Sequence, residues 1–307
     1  MPHLPLSTVF YLSLATILWA GNAIAGQALV GSISPITLSA VRWGLAALML
    51  LPLGWRILRP GSALWHHKTR FLVLGLLGVG SYNALLYLAL QTSTAINVTL
   101  IGASMPIWML LIGALFFKVK PRFLQLVGAI ISLFGVTIVL TRGEPTSLLS
   151  MDAVMGDLLI MLATILWAFY SWMISHPGKS PERQWPWAEF LMAQVLIGFL
   201  WTMLFEGAEI AAGHAFIVLN YWTAGLIVFT AIGPSLVAYR CWGLGVSESG
   251  PTIAAFFANL IPLFTALLST AMLGDSPKLF HGLAFMLIVG GIITSSMRPK
   301  RSLNRYS

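Results

Sequence analysis

Arg42 is the one formal charge set deep inside a long apolar run, that of residues 35–55. A guanidinium at mid-membrane depth costs about 2.5–3.5 kcal/mol on insertion scales, so such a side chain lines a cavity or meets a partner. Facing a pathway, its planar fork suits a carboxylate, which it can hold with two parallel hydrogen bonds. Facing away, it would bond to carbonyls freed near a kink and only hold helices together. The other candidates are aromatic or amidic. Trp19 and Asn22 stand three residues apart, as do Trp167 and Tyr170, so each pair shares one face of a helix. Tyr82, Asn83 and Trp108 lie at similar depth in their own runs. With Arg42 these residues make a substrate-binding set: an aromatic cage with a few polar handles, suited to side chains of varied size and to a cation–π contact with an ammonium. Packing between helices or anchoring at the membrane interface is the competing reading for any Trp. Trp43, Trp55, Trp65, Trp185, Trp187 and Trp222 are assigned to it.

Other chemistry is poorly provided for. Ser104 sits in Gly102-Ala103-Ser104-Met105, but no histidine lies at depth to activate it. No paired carboxylates, His-rich metal motif or cofactor motif occurs, so neither an enzyme nor a cofactor or metal site is expected. Cys241 is the single cysteine, which excludes an internal disulfide and a cysteine cluster. Asp157, Glu189 and His281 fall near the ends of their runs, and no acid is placed at mid-depth for a proton relay. A facilitative carrier, or coupling without a buried acid, is therefore expected. Pro106 and Pro262 lie within the runs 94–117 and 250–273. A proline inside a helix removes a backbone bond and kinks it, so matching prolines suit either hinges or static bends.

The elements that position these residues follow from composition. The 307 residues are 58% hydrophobic and 8% charged, with a mean hydropathy of +0.88. A soluble surface needs roughly 25% charged residues, so most of this surface must face lipid. Apolar runs fall near 9–30, 35–55, 71–91, 94–117, 122–140, 155–175, 187–205, 218–240, 250–273 and 279–297. Each approaches the roughly 20 residues that cross a bilayer, and continuous runs in lipid are helices. The fold class is all-α integral membrane, with ten transmembrane helices. Ala23-Ile24-Ala25 resembles a cleavage site, but no Lys or Arg precedes it, so the first run is read as a retained span.

The net charge of +8 sits in short loops and indicates topology rather than nucleic-acid binding. With the N-terminus in the cytoplasm, all but three of the 17 Lys and Arg lie inside; Arg142 and Lys278 are outside and Arg42 is within a span. Such a bias places both termini in the cytoplasm of a cell inner membrane. Ala15-Thr16-Ile17-Leu18-Trp19-Ala20 recurs letter for letter as Ala163-Thr164-Ile165-Leu166-Trp167-Ala168. Pro106 with Pro262, Pro121 with Pro277, and Gly135 with Gly291 share one further displacement. Residues 1–145 and 146–307 are thus expected to be two five-helix repeats, the second ending in a short basic tail. Five being odd, the repeats are inverted, a recurrent design of secondary transporters.

Several stretches resemble a known family. Leu18-Trp19-Ala20-Gly21-Asn22, Pro35 through Arg42-Trp43 and Tyr87-Leu88-Ala89-Leu90-Gln91 resemble the drug/metabolite transporter superfamily in its ten-helix EamA branch. The proline-centred fourth and ninth spans and their exits, Lys118–Pro121 and Asp275–Pro277, fit the same pattern. Within that branch the Trp- and Tyr-rich inward positions look most like the aromatic amino acid exporters. The resemblance implies export of small metabolites from the cytoplasm, amino acids first among them, and the inverted repeats suit alternating access. Another metabolite or drug, such as a nucleoside or sugar, and a passive channel are the alternatives. Small-molecule substrate and lipid are the expected partners, without nucleic acid.

Overall fold

The computed structural model describes residues 4–93, 98, 101–141, 143–144, 154–178, 181–273 and 278–297. The apolar runs form helices: α1 (Leu6–Ala28), α2 (Pro35–Gly54), α3 (Lys68–Ala89), α4 (Met105–Phe116), α5 (Phe123–Leu140), α6 (Met155–Ser175), α7 (Trp187–Ala211) and α8 (Tyr221–Ser249). They continue with α9 (Pro251–Ala258, resuming after Asn259 as Leu260–Leu273) and α10 (Leu279–Ser296). Nine helices among the described residues are long and apolar enough to cross a membrane, and α4 is shorter. Leu6, Leu48, Leu115, Phe123, Phe134 and Leu279 are each more than 60% exposed. Water would penalise that surface, and hydrocarbon does not. Pro277, Arg142, Lys179 and the basic tail lie outside the described residues.

Two helices overrun the runs read from sequence. α7 continues to Ala211 and α8 to Ser249, rather than stopping near 205 and 240. The extra turns are polar, and neighbouring helices supply their partners. Glu206 is buried and accepts from Thr37 Oγ1 at 2.8 Å. Glu209 accepts from the backbone N–H groups of Ile36 at 3.2 Å and Thr37 at 2.9 Å. It thereby caps the start of α2, where an anion is favoured. Glu206 and Glu209 are thus in the last turns of α7 rather than in a loop, and they lie near a helix end, not at mid-depth. Arg240 stands within α8, not in a loop, with its guanidinium 5.2 Å from the Trp187 ring centroid.

Helix pairing repeats with a shift of five. α5 packs on α10 and α2 on α7; α1 packs on α8 and α9 as α6 packs on α3 and α4. α3 and α8 each contain one π-helical stretch, Gly75–Ser81 and Ala231–Val237. These differ by the same displacement that relates Pro106 to Pro262.

The α5–α10 contact depends on bare backbone. A Cβ on Gly291 would lie 2.6 Å from the Gly128 carbonyl oxygen, and one on Gly128 would lie 2.6 Å from that of Gly291. Small residues let membrane helices approach this closely, and dispersion then replaces the missing hydrophobic drive. Gly291→Leu should force the pair apart and cost about 1–3 kcal/mol or more. The check is a lowered thermal midpoint of the detergent-solubilised protein; an unchanged midpoint would mean that this contact is dispensable.

Candidate functional site

A cavity of about 460 Å³ lies between α1, α3, α4, α6, α8 and α9. Its inner wall carries Trp19, Asn22, Tyr82, Asn83, Trp167 and Tyr239. Towards the turn after α1 it is bordered by Gln27, Val30 and Ser93, of which Gln27 and Val30 are exposed. The opposite end, towards Leu6, is sealed. There Leu12 packs into the space beside Gly245, and Ser7 and Thr8 donate to Glu248 Oε2 at 3.0 and 2.5 Å. Arg70 on α3 pairs with Glu182 at 2.6 Å and donates to the Met173 carbonyl at 2.6 Å, closing the same end. Among the described residues, the cavity reaches exposed side chains towards the turn after α1 and is closed off towards Leu6.

Trp167 is the hub of the aromatic wall. Its ring contacts Trp19 at 5.3 Å, Tyr82 at 5.1 Å, Tyr239 at 5.4 Å, Trp242 at 5.8 Å and Tyr170 at 4.9 Å between centroids. The repeated hexapeptide thus brings Trp19 and Trp167 edge to face, as its matching positions in α1 and α6 led one to expect. The π-helical stretches hold the ring tips. A π turn leaves carbonyls without their usual amide. Trp19 Nε1 donates to the Pro234 carbonyl at 3.2 Å, and Tyr239 hydroxyl donates to the Gly78 carbonyl. Gly78 and Pro234 are counterparts in the two stretches, so each half supplies the anchor for the other half's aromatic.

Arg42 is placed differently from the sequence reading. It is fully buried and is not part of the cavity wall; it lies behind it. Nη1 donates to Asn22 Oδ1 at 3.1 Å, Asn83 Oδ1 at 2.9 Å and Tyr87 hydroxyl at 2.9 Å. Nε and Nη2 donate to Ser235 Oγ at 3.0 and 2.7 Å. Pro234 explains the last pair. Lacking an N–H, it helps leave the Thr230 carbonyl free, and Ser235 donates its hydroxyl there at 2.8 Å. The Ser235 oxygen lone pairs are then left for Arg42.

The remaining candidates divide. Tyr170 sits behind Trp167 and donates to Gln194 Oε1 at 2.8 Å. Trp108 is not part of the cavity wall: it is half-buried, and its Nε1 donates to Ser104 Oγ one turn earlier at 3.1 Å. Met105, rather than Trp108, is the α4 residue on the cavity. Pro106 is not in a helix interior but in the first turn of α4, after a break at 103–104. Pro262 likewise follows the break at Asn259 closely. First-turn prolines need no N–H partner, which is why the breaks lie just before them. Each still deprives the carbonyl four residues back, Gly102 and Ala258, and both of these residues line the cavity. Tyr87, Ser235 and Tyr239 were missed as site residues. The usable signals were Pro234 inside an apolar run and Tyr239 standing where the second half matches Asn83.

Membrane-length helices enclosing a cavity are the architecture of a membrane transporter. The EamA-like transporter family model matches residues 6–141 and 154–297, and the chain belongs to that family. The chain is similar to an uncharacterized transporter, YyaM, of Bacillus subtilis (26% identity, covering 87% of this chain and 86% of the relative). It is similar also to the aromatic amino acid exporter YddG of Ancylobacter novellus (23% identity, covering 94% and 96%). A solved structure titled only as a protein superposes with a TM-score of 0.76 at 18% identity, covering 94% of this chain and 96% of that one. That likeness shows the fold.

Proposed function

We propose that this transporter exports amino acids, aromatic and other neutral ones with broad tolerance, from the cytoplasm across the inner membrane by alternating access. The observation that carries the reading is the inner wall of the cavity, where Trp19, Tyr82, Trp167 and Tyr239 stand beside the amides of Asn22 and Asn83. The rings of Trp19, Tyr82, Trp167 and Tyr239 offer a slot for an aromatic side chain and faces for an ammonium. A phosphorylated metabolite would call for several cations at the wall, and none of the cavity-lining residues is a Lys or Arg. The similarity to an aromatic amino acid exporter supports the same substrate class.

Alternating access draws support from the matched pairing of the halves and from the sealed end, which a passive channel would not need. Residues 1–145 and 146–307 act as the two inverted repeats that trade roles between states. With both termini cytoplasmic, the cavity faces outward and the Leu12–Gly245 end is the cytoplasmic seal.

The test is a flux panel with purified protein in liposomes, using labelled amino acids, a nucleoside and a sugar. Phenylalanine or another neutral amino acid should move saturably, with unlabelled substrate competing. Movement of the nucleoside or sugar alone would overturn the substrate class, and flux that never saturates would overturn the carrier.

A further inference from the structure

Arg42 presents an unresolved charge. Its hydrogen-bond partners, Asn22, Asn83, Tyr87 and Ser235, and the Trp43 ring 5.0 Å away are all uncharged, and it is fully buried. A desolvated cation is costly unless an anion comes close. Among the described residues, the ion pair formed joins Arg70 to Glu182 and leaves Arg42 out. The protein thus keeps a permanent positive charge one layer behind the cavity wall.

That charge dictates how the wall is presented. A guanidinium has only donors, so it must draw the oxygen end of each amide. Both Asn22 Oδ1 and Asn83 Oδ1 accept from Nη1. Tyr87 hydroxyl also donates to Asn22 Oδ1 at 3.2 Å, which fixes that amide a second time. The two NH₂ groups are turned the other way. Among the described residues neither makes a hydrogen bond, and neither is among the sealed, unpartnered atoms, which are Ser39 Oγ, Trp43 Nε1, Trp167 Nε1, Glu206 Oε2 and Asn259 Oδ1. Both residues line the cavity. The inner wall therefore offers two amide N–H donors, polarised by a cation behind them and waiting for an acceptor.

We propose that Asn22 and Asn83 form the carboxylate seat of the transported molecule, and that Arg42 is the positioning residue that orients both amides and supplies the attracting charge. This rests on the amino-acid reading above and adds where the carboxylate goes. Arg42 never touches the substrate; it acts through Asn22 and Asn83, with Ser235 and Tyr87 holding it in place. The seat selects for an anionic acceptor, whereas the aromatic slot accepts the rest of the molecule.

The experiment measures inhibition of labelled phenylalanine flux in proteoliposomes by unlabelled phenylalanine, phenylalaninamide, phenethylamine and 3-phenylpropionate. Hydrogen bonds to a charged group contribute enough that the two compounds without a carboxylate should inhibit roughly 10- to 100-fold more weakly than phenylalanine. Phenylpropionate, which keeps the carboxylate and loses the amine, should stay closer to phenylalanine than the amide does. Asn83→Asp then places an anion against Arg42, a pairing that should favour insertion and folding. It should lower the acid-over-amide preference about tenfold or more, a ratio that a merely structural role would leave alone. Equal inhibition by phenylalanine and its amide, or an unchanged ratio in N83D, would overturn the seat while leaving the carrier reading intact. If neither phenylalanine nor phenylpropionate moves or binds, the seat and the amino-acid reading fall together.

Discussion

Trp167→Ala should reduce amino-acid flux by more than about tenfold while leaving Trp167→Phe substantially active. Five rings converge on Trp167, so its removal dissolves the slot rather than trimming it. Truncating a buried Trp to Ala also costs about 3–5 kcal/mol of stability, so the phenylalanine variant is the necessary companion. Phe keeps a ring among its neighbours and drops an indole N–H that is buried without a hydrogen-bond partner. Tyr82→Ala should impair flux in the same sense, because Tyr82 faces Trp167 across the wall. Membrane insertion measured by fractionation should be preserved in W167F and Y82A. Normal flux in both W167A and Y82A would move the pathway elsewhere.

Gly245→Leu addresses the other half of the cycle. Leu12 already fills the space where a side chain on Gly245 would stand, at the sealed end of α1 and α8. Overpacking of this kind typically costs about 1–3 kcal/mol, and here it is charged to the sealed state alone. Since 1.4 kcal/mol is a factor of ten in an equilibrium, the outward-open population should fall by about five- to a hundredfold relative to the opposite state. The readout is alkylation of an Ala23→Cys variant, in a Cys241→Ser background, by a membrane-impermeant reagent added outside intact cells. Ala23 lines the cavity and Cys241 is buried, so the engineered thiol is the reporter. Labelling should slow in G245L and be restored by Leu12→Ala, which returns the space. Unaltered labelling in G245L would show that the α1–α8 contact does not control access.

Much of the architecture was legible because hydrocarbon imposes so few solutions. Long apolar runs had to be helices, and a repeated hexapeptide with Trp at its fifth position brought Trp19 and Trp167 together. Helix ends were read less well. Glu206, Glu209 and Arg240 look like loop residues to a hydropathy reading, yet α2 and Trp187 accommodate them inside α7 and α8. Arg42 was identified as consequential with a pathway-facing and a helix-bridging role both open, and it lies behind the wall bonded to Asn22, Asn83, Tyr87 and Ser235. Whether a side chain touches a cavity or stands behind it depends on helix rotation, which neither periodicity nor motif specifies in an all-round apolar helix. The π turns were invisible for a related reason: Gly75–Ser81 has no proline, and Pro234 alone does not announce that Ser235 will hold Arg42. On α4, Met105 rather than Trp108 lines the cavity, and no residue pattern signalled the break at 103–104 that starts this helix.

The most direct measurement is substrate protection of the cavity itself. Ala23→Cys in the Cys241→Ser background is alkylated with and without increasing phenylalanine, beside flux measured on the same preparation. Protection should saturate, with a midpoint matching the half-saturation of flux, as the proposed seating of the amino acid between Trp19, Asn83 and Trp167 requires. Saturable phenylalanine flux accompanied by unprotected alkylation at every concentration would contradict this, since the substrate would then cross without entering the cavity.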